Sequence, residues 1–489
     1  MTGLPAHTLI QRAGQAVARL ARALTPHARS VWVACGPGNN GGDGLLAAAE
    51  LHRLGLATGC RVTVTWLGQE DHLPDDSRHA LAVARAAGVD FATEPPEAFD
   101  LAIDALLGLG ARAAAQGRMA DWVERLQRSP APVLCVDLPS GLDPDSGRWL
   151  NDGPARPLGP RHTLALLSLK PGQFTGDGRD ACGQLWFDDL EVDGGRVAPD
   201  AWLTADTAPR TPRQQRHGEH KGSHGELLVL GGQDVGVNGE GMTGAALLAA
   251  RAGLQAGAGR VYLALLGNPG EGAPRWDPSW PELMFRSARS LLDSPLAGQA
   301  TAVCGCGGGT AVREVLPALL QQSPRLVLDA DALNALASTP AWQQQLTQRR
   351  ARQQLTVLTP HPLEAARLLG SQTSDVQANR LGAATTLAER LQCVVVLKGS
   401  GTVVAAPGLI AGINFSGNAL LATAGTGDVL AGLLGAYWAQ GHAQASDKAG
   451  WEQAFEAATL AVWRHGRVAD RWTGGTLTAS GLVHALTPP

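Results

Sequence analysis

Two groups of residues in this sequence could do chemistry. In AGTGDVLAGLLG (424–435), Gly425 and Gly427 let helix-start N–H groups converge on an anion, with Asp428 on the first turn. Phosphate repels a carboxylate placed there, unless the carboxylate takes a proton from an attacking hydroxyl, as phosphoryl transfer requires. The alternative is an aspartate favoured only by the helix dipole. Upstream, VVVLKGSGTVVA puts Lys398, Gly399, Ser400, Gly401 and Thr402 at the tip of an apolar hairpin. That tip suits a nucleotide phosphate, or is a plain turn with a solvated lysine. His361 lies between two prolines in LTPHPLE, and Glu364 opens the next helix. Asp329 and Asp331 in VLDADALN are candidates for a Mg²⁺ or phosphate environment, or turn residues.

The second group lies in the first half. Residues 36–44, GPGNNGGDG, satisfy G-x-G-x-x-G between an apolar run and a helical pattern. A dinucleotide fingerprint also wants an acid at the end of the next strand, where RVTVTWLG has Thr65 and Trp66. The loop instead carries Asn39, Asn40 and Asp43, and two further strand ends add Asp104, Asp137 and Ser140. Such oxygen donors suit a group I or II cation and not zinc. Each could equally be a turn residue or helix cap.

The elements that must position these residues alternate. SVWVAC, RVTVTWLG, FDLAIDALLG, APVLCVDLPSG, TLALLSLKPG and QLWFDDLEV are short apolar runs, most of them separated by helical patterns. They imply a parallel sheet covered on both faces, in a domain spanning 1–192. A Pro-, Arg- and His-rich stretch, 193–220, reads as a linker. From 221 to 489 a second alternation runs through GELLVLGG, RVYLALLG, TAVCGCGGG, PRLVLDADALN, LTVLTPHP and CVVVLKGSG, a second α/β domain.

Length and composition agree with two domains. The chain has 489 residues, 44% of them hydrophobic, with no long uninterrupted apolar segment. A net charge of −4 without a basic tract disfavours a nucleic-acid partner. No basic and apolar leader pattern is visible at the start, so a cytoplasmic protein with no membrane partner is expected. Of seven cysteines, Cys35, Cys135 and Cys393 sit in apolar runs as small buried hydrophobes. Cys304 and Cys306 lack a second Cys/His pair at zinc spacing. His217, His220 and His224 share their stretch with three glycines, which will not hold a zinc-binding helix.

Taken together, LIQRAG, GPGNNGGDG, DALLG and DLPSGLD resemble the N-terminal epimerase domain of the NAD(P)H-hydrate repair family. HKGSHGELLVLGG, GMTGAALLAARAG, LDADALN, LTPHPLE, LKGSGTVV and GTGDVLAG are similar, in order, to its C-terminal ADP-dependent dehydratase domain. The resemblance implies a Rossmann-like doubly wound domain followed by a ribokinase-like α/β domain. It implies epimerisation of R and S hydrates of NADH and NADPH, then ADP-dependent dehydration of the S form, giving AMP and phosphate. By motif, Asn39, Asn40, Gly41, Gly42 and Asp43 would bind the hydrate, as would Gly108, Leu109, Gly110, Ala111, Arg112, Ala113 and Ala114. Asn40, Asp104 and Ser140 would hold K⁺, and Asp137 would face the reacting ring as acid/base. In the second half Ala245, Gly307 and His361 would bind the hydrate. Lys398 to Thr402 and Gly427 would bind the adenine nucleotide with Mg²⁺, and Asp428 would be the base. The family's Gly-Pro-Gly-Leu-Gly strand end is GCGGG here, 305–309. A homo-oligomer is also implied. Two rivals remain at this stage: a small-molecule kinase that leaves its phosphate in place, and a non-catalytic first domain that binds a macromolecule.

Overall fold

A computed structural model describes residues 4–151, 158–204, 217–236, 239–267, 275–443 and 450–486. The chain divides into two compact units, 1–198 and 199–489. In the first, seven strands form one sheet: β1 Ser30–Cys35, β2 Arg61–Trp66, β3 Asp90–Ala92, β4 Leu101–Ala105, β5 Val133–Val136, β6 Arg161–Leu166 and β7 Gln184–Asp188. All neighbours are parallel, in the order β3-β2-β1-β4-β5-β6-β7. The near-continuous apolar runs follow from burial on both faces. Val31, Val33 and Cys35 pack into a core with helices Thr8–Leu24 and Asn39–Thr58. Trp32 and Ala34 face the opposite layer, against Trp122 and Leu126 of helix Arg118–Gln127. Strand order reverses between β1 and β4, and the loops that follow those two strands border the crevice there.

Among its described residues the second unit has ten strands: β8 Ala201–Leu203, β9 Glu226–Gly231, β10 Arg260–Leu265, β11 Met284–Phe285, β12 Thr301–Cys304, β13 Arg325–Leu328, β14 Leu355–Leu358, β15 Val394–Leu397, β16 Val403–Ala405 and β17 Ala411–Ile413. Their order is β11-β10-β9-β12-β13-β14-β15-β16-β17-β8. The sheet is parallel from β11 to β15, and β16 pairs antiparallel with both β15 and β17. The switch point is between β9 and β12. Alanine and glycine usage reflects close helix packing. A Cβ on Gly432 would lie 1.9 Å from the Ala249 carbonyl oxygen, so helix Thr426–Ala443 meets helix Thr243–Gln255 almost backbone to backbone.

The stretch 193–220, read as a linker, contains β8, which pairs parallel with β17 at the edge of the second sheet. Three residues are too few to show a periodicity, and prolines and arginines nearby mask them. Residues 205–216 of that stretch lie outside the described residues. Among the described residues no helix is long and apolar enough to cross a membrane.

Candidate active sites

In the first unit the glycine loop begins where β1 ends. A Cβ on Gly41 would sit 2.0 Å from the Gly36 carbonyl oxygen, so the loop folds onto itself only without side chains there. Helix Asn39–Thr58 therefore starts at the tip of β1, beside β4. Asn40 donates from Nδ2 to the Leu107 carbonyl at 2.9 Å. Ser140 Oγ accepts from Leu107 N at 2.9 Å and donates to Asp104 Oδ1 at 2.5 Å. Ser140 N reaches Asp104 Oδ2 at 2.9 Å. Asn40 and Ser140 thus meet on Leu107, and Asp104 joins them through Ser140 and Leu106 N. Burial raises the Asp104 carboxyl, against the hydrogen bonds from Ser140 and Leu106.

Asn39 accepts from Ser77 Oγ at 3.1 Å, beside a cleft of about 700 Å³ lined also by His7, Asp76 and His79. Asp43 is held well above the usual carboxylate range by burial, then by the charges of Asp137 and Asp76. Of the second expected loop, Gly108 touches Asn40, a Cβ there lying 3.2 Å from the Asn40 Cβ. Leu109, Gly110, Arg112 and Ala113 are exposed, and Ala111 and Ala114 half-buried.

Asp137 directly follows β5 with φ 63°, in the left-handed region that a non-glycine residue seldom occupies. Its N–H donates to Leu164 O at 2.8 Å and its carbonyl accepts from Gln173 Nε2 at 2.8 Å. Its Oδ1 accepts from Leu166 N at 2.9 Å and from the ammonium of Lys170. Lys170 is not among the residues that the sequence singles out, because LLSLKPG reads only as the end of a strand.

In the second unit five strand ends meet. After β9, Gln233 N donates to Gly307 O at 2.6 Å. After β12, Gly307 has φ 58°, and a Cβ on it would lie 2.8 Å from the Ala245 Cβ, so these two expected residues adjoin. Both lie beside a cavity of about 300 Å³ whose lining includes Gln233, Met242, Gly307 and Asp331. Asp331 Oδ2 accepts from Gly309 N at 2.8 Å. After β13, Asp329 Oδ1 takes Lys398 Nζ at 2.6 Å and Thr359 Oγ1 at 2.8 Å.

Helix Thr426–Ala443 brings Asp428 to this cluster. The Asp428 carboxylate, Asp329 and Cys306 have ligand atoms within 4.8 Å of one another. Burial, then the charge of Asp329, pushes Asp428 up to about 6, against the Cys306 thiol and Lys398. The Cys306 thiol is itself raised, by burial and by Asp428 and Asp329, and hydrogen-bonds Asp428. Gly425 has φ 90°, and a Cβ there would meet Leu248 at 2.7 Å. Gly427 faces Lys398, whose Nζ would be 3.5 Å from an added Cβ. The turn is steadied from behind by His465, buried and lowered to about 4 by that burial, with Nε2 2.9 Å from Thr426 O.

The hairpin tip is shaped by Gly399 at φ 136° and Gly401 at φ 64°, with Ser400 exposed and Thr402 donating to Gly399 O at 3.0 Å. Buried Arg380 donates to the carbonyls of Leu397 and Lys398, both at 3.1 Å. His361 caps helix Pro362–Leu369: Nδ1 accepts from Leu363 N at 3.2 Å and Glu364 N at 3.3 Å. Glu364 Oε2 in turn accepts from His361 N at 2.8 Å. Burial pushes Glu364 up to about 7, with Lys398 opposing.

Family models match both units. One described as YjeF-related protein N-terminus covers residues 6–172, and one described as NAD(P)H-hydrate dehydratase covers 227–486. The bifunctional NAD(P)H-hydrate repair enzyme Nnr of Escherichia coli (strain K12) is 36% identical over 451 residues, 90% of this chain and 82% of the relative. Its namesake in Coxiella burnetii is 33% identical over 482 residues, 96% of this chain and 91% of the relative.

The chain belongs to the bifunctional NAD(P)H-hydrate repair enzyme family.

Among solved structures, the ADP/ATP-dependent NAD(P)H-hydrate dehydratase of Bacillus subtilis, crystallised with ATP and Mg²⁺, is 28% identical. That match has a TM-score of 0.45 and covers 56% of this chain and 91% of that one. In this member of the repair family the proline of Gly-Pro-Gly-Leu-Gly gives way to Cys306, which brings a thiol against Asp428. Zinc spacing gives no reason to single out Cys306. Its signal was the interrupted glycine motif itself. The histidines before β9 act locally: His220 Nδ1 accepts from Gly222 N at 3.1 Å, and His224 lies 3.3 Å from Glu219.

Proposed function

We propose that the first unit interconverts the R and S hydrates of NADH and NADPH and that the second dehydrates the S form with ADP. The observation that carries this reading is Asp428 on the first turn of a helix, between Cys306 and the Lys398–Asp329 pair, in a chain of the repair family. Asp428 removes the proton of the C6 hydroxyl, and that oxygen attacks the terminal phosphorus of ADP. The N–H groups around Gly427 hold the transferred phosphoryl group, and Lys398 to Thr402 hold the nucleotide. AMP leaves first. Phosphate then leaves C6 and a C5 proton is lost, which restores the nicotinamide diene. Ala245, Gly307 and His361 hold the hydrate.

In the first unit Asn39 to Asp43 and Gly108 to Ala114 hold the hydrate, and Asp137 moves the proton on the C6 oxygen. Asn40, Asp104 and Ser140 fit K⁺: their oxygens are hard, and Asp104 is a desolvated carboxylate 5% exposed. When bound, the ion would supply positive charge beside the substrate loop. The Cys306–Asp329–Asp428 cluster does not fit Mg²⁺, because one member is a protonated thiol and Asp329 already binds Lys398. We assign Mg²⁺ to the nucleotide's own phosphates. Seven free cysteines support a reducing, cytoplasmic location.

The test is to mix the protein with hydrated NADH, Mg²⁺ and either ADP or ATP, with and without K⁺, and follow the return of NADH absorbance. Full return with ADP, slower without K⁺, supports every part. No return with either nucleotide refutes the dehydratase reading, and return of the S fraction alone refutes the epimerase reading. Accumulation of a phosphorylated hydrate would favour a simple kinase.

A further inference from the structure

We infer that Lys170 is a positioning residue for epimerisation, clamping Oδ1 of Asp137 so that Oδ2 is the oxygen that exchanges the C6 hydroxyl proton. The inference rests on the epimerase reading of the first unit and extends it to a residue which no motif had singled out.

The geometry is over-determined. Asp137 occupies the left-handed region at φ 63°, which costs energy for a residue with a Cβ and is held here by its surroundings. Four contacts enforce it here, all from β6 or the turn after it. Leu164 O receives the Asp137 N–H at 2.8 Å, and Gln173 Nε2 binds its carbonyl at 2.8 Å. Leu166 N binds Oδ1 at 2.9 Å, and the Lys170 ammonium binds the same oxygen. Lys170 is itself fixed: Nζ donates to Leu166 O at 2.9 Å, and its N–H donates to Gln173 Oε1 at 2.9 Å. Its side chain is 7% exposed, and that of Asp137 is 13%. Among the described residues no donor reaches Oδ2, so one oxygen is anchored and the other is left to react.

The step balances without a co-reactant. Asp137 Oδ2 takes the proton of the C6 hydroxyl, the C6–N1 bond breaks, and its electron pair passes through the enamine to the carboxamide. C6 becomes an aldehyde carbon. After rotation about C5–C6, N1 attacks the other face, and Oδ2 returns the proton to the C6 oxygen. Lys170 gives up no proton. It holds the carboxylate in place through both passages and supplies the positive charge beside it.

Lys170→Met in the full-length protein tests this, with R and S hydrates separated by chromatography. The expected result is a kcat for interconversion about 100-fold lower, KM within about twofold, and recovery to within about tenfold in Lys170→Arg. Dehydration of pure S hydrate by the same preparation should be unchanged. Interconversion at the unaltered kcat, or a raised KM with kcat kept, would overturn the inference. If Lys170→Met abolishes the first unit's melting transition, Lys170→Gln decides, since it keeps a donor without charge. Lowered kcat with KM kept shows that the ammonium itself is needed, and full kcat overturns its role. Asp137→Ala separates the two levels: if it still interconverts the epimers, the epimerase role of Asp137 fails whatever Lys170 does.

Discussion

Lys398 Nζ and Asp329 Oδ1 lie 2.6 Å apart, tying the ends of β15 and β13 across β14, whose own end contributes Thr359 to the same oxygen at 2.8 Å. Three neighbouring strands therefore share one buried carboxylate, 1% exposed. Lys398→Met leaves that carboxylate without its cation, and breaking a buried pair costs about 3–5 kcal/mol. We expect a lower melting temperature for the second unit by calorimetry. Dehydration should slow by about 100-fold or more, since the same ammonium faces the Gly427 turn.

Asp428 must be ionised to accept a proton, and it titrates at about 6. The dehydration rate should hold from pH 8 downward and then fall about tenfold per pH unit below that value. The Cys306 thiol holds Asp428 down. Cys306→Ala should therefore shift the acid limb upward, and a pH–rate profile whose limb does not move would exclude this coupling. Asp428→Asn should lose about 10²- to 10⁴-fold in kcat.

Glu364 bears on stability. Its folded value is about 7 against an ordinary 4.5, so the folded chain retains a proton that the unfolded chain releases between those values. The stabilisation is complete below about pH 4.5 and is lost as pH rises through about 7. Glu364→Gln keeps an acceptor for the His361 N–H and removes the titration. Its melting temperature should exceed that of the unaltered protein at pH 8, with a flatter dependence between pH 5 and 7.

The glycine loop makes a separable prediction. In Gly41→Ala the new methyl group meets the Gly36 carbonyl at 2.0 Å, backbone against backbone, with no flexible side chain to yield. Overpacking of this kind costs about 1–3 kcal/mol. Epimer interconversion should fall while dehydration of the S form persists; equal loss of both would show that the loop does not act on the first reaction alone.

How much of this was legible beforehand follows from distance along the chain. Asn40 and Asp428 announce themselves because glycines within three residues of each carry their geometry. The alternation of strands was readable because parallel strands buried on both faces are written as short apolar runs. The Asp137–Lys170 pair spans 33 residues and two adjacent strands, so no local pattern contains it. Neither the order β3-β2-β1-β4 nor the place of β8 can be read from periodicity, which says that a strand exists but not which neighbour it takes. His361 illustrates a different limit. Its setting between prolines marked it as special, and the structure gives it a cap's hydrogen bonds at Nδ1.

The parallel pairing of β8 with β17 moves the seam between the two halves of the gene product. Expressing the second half from residue 221 would discard Ala201–Leu203 and leave β17 with its backbone N–H and C=O groups unpaired along one side. An open strand of that kind invites pairing with another molecule. Separation of the two activities onto independent polypeptides, by design or by descent, would keep the dehydratase half well behaved only if the cut fell ahead of Pro199.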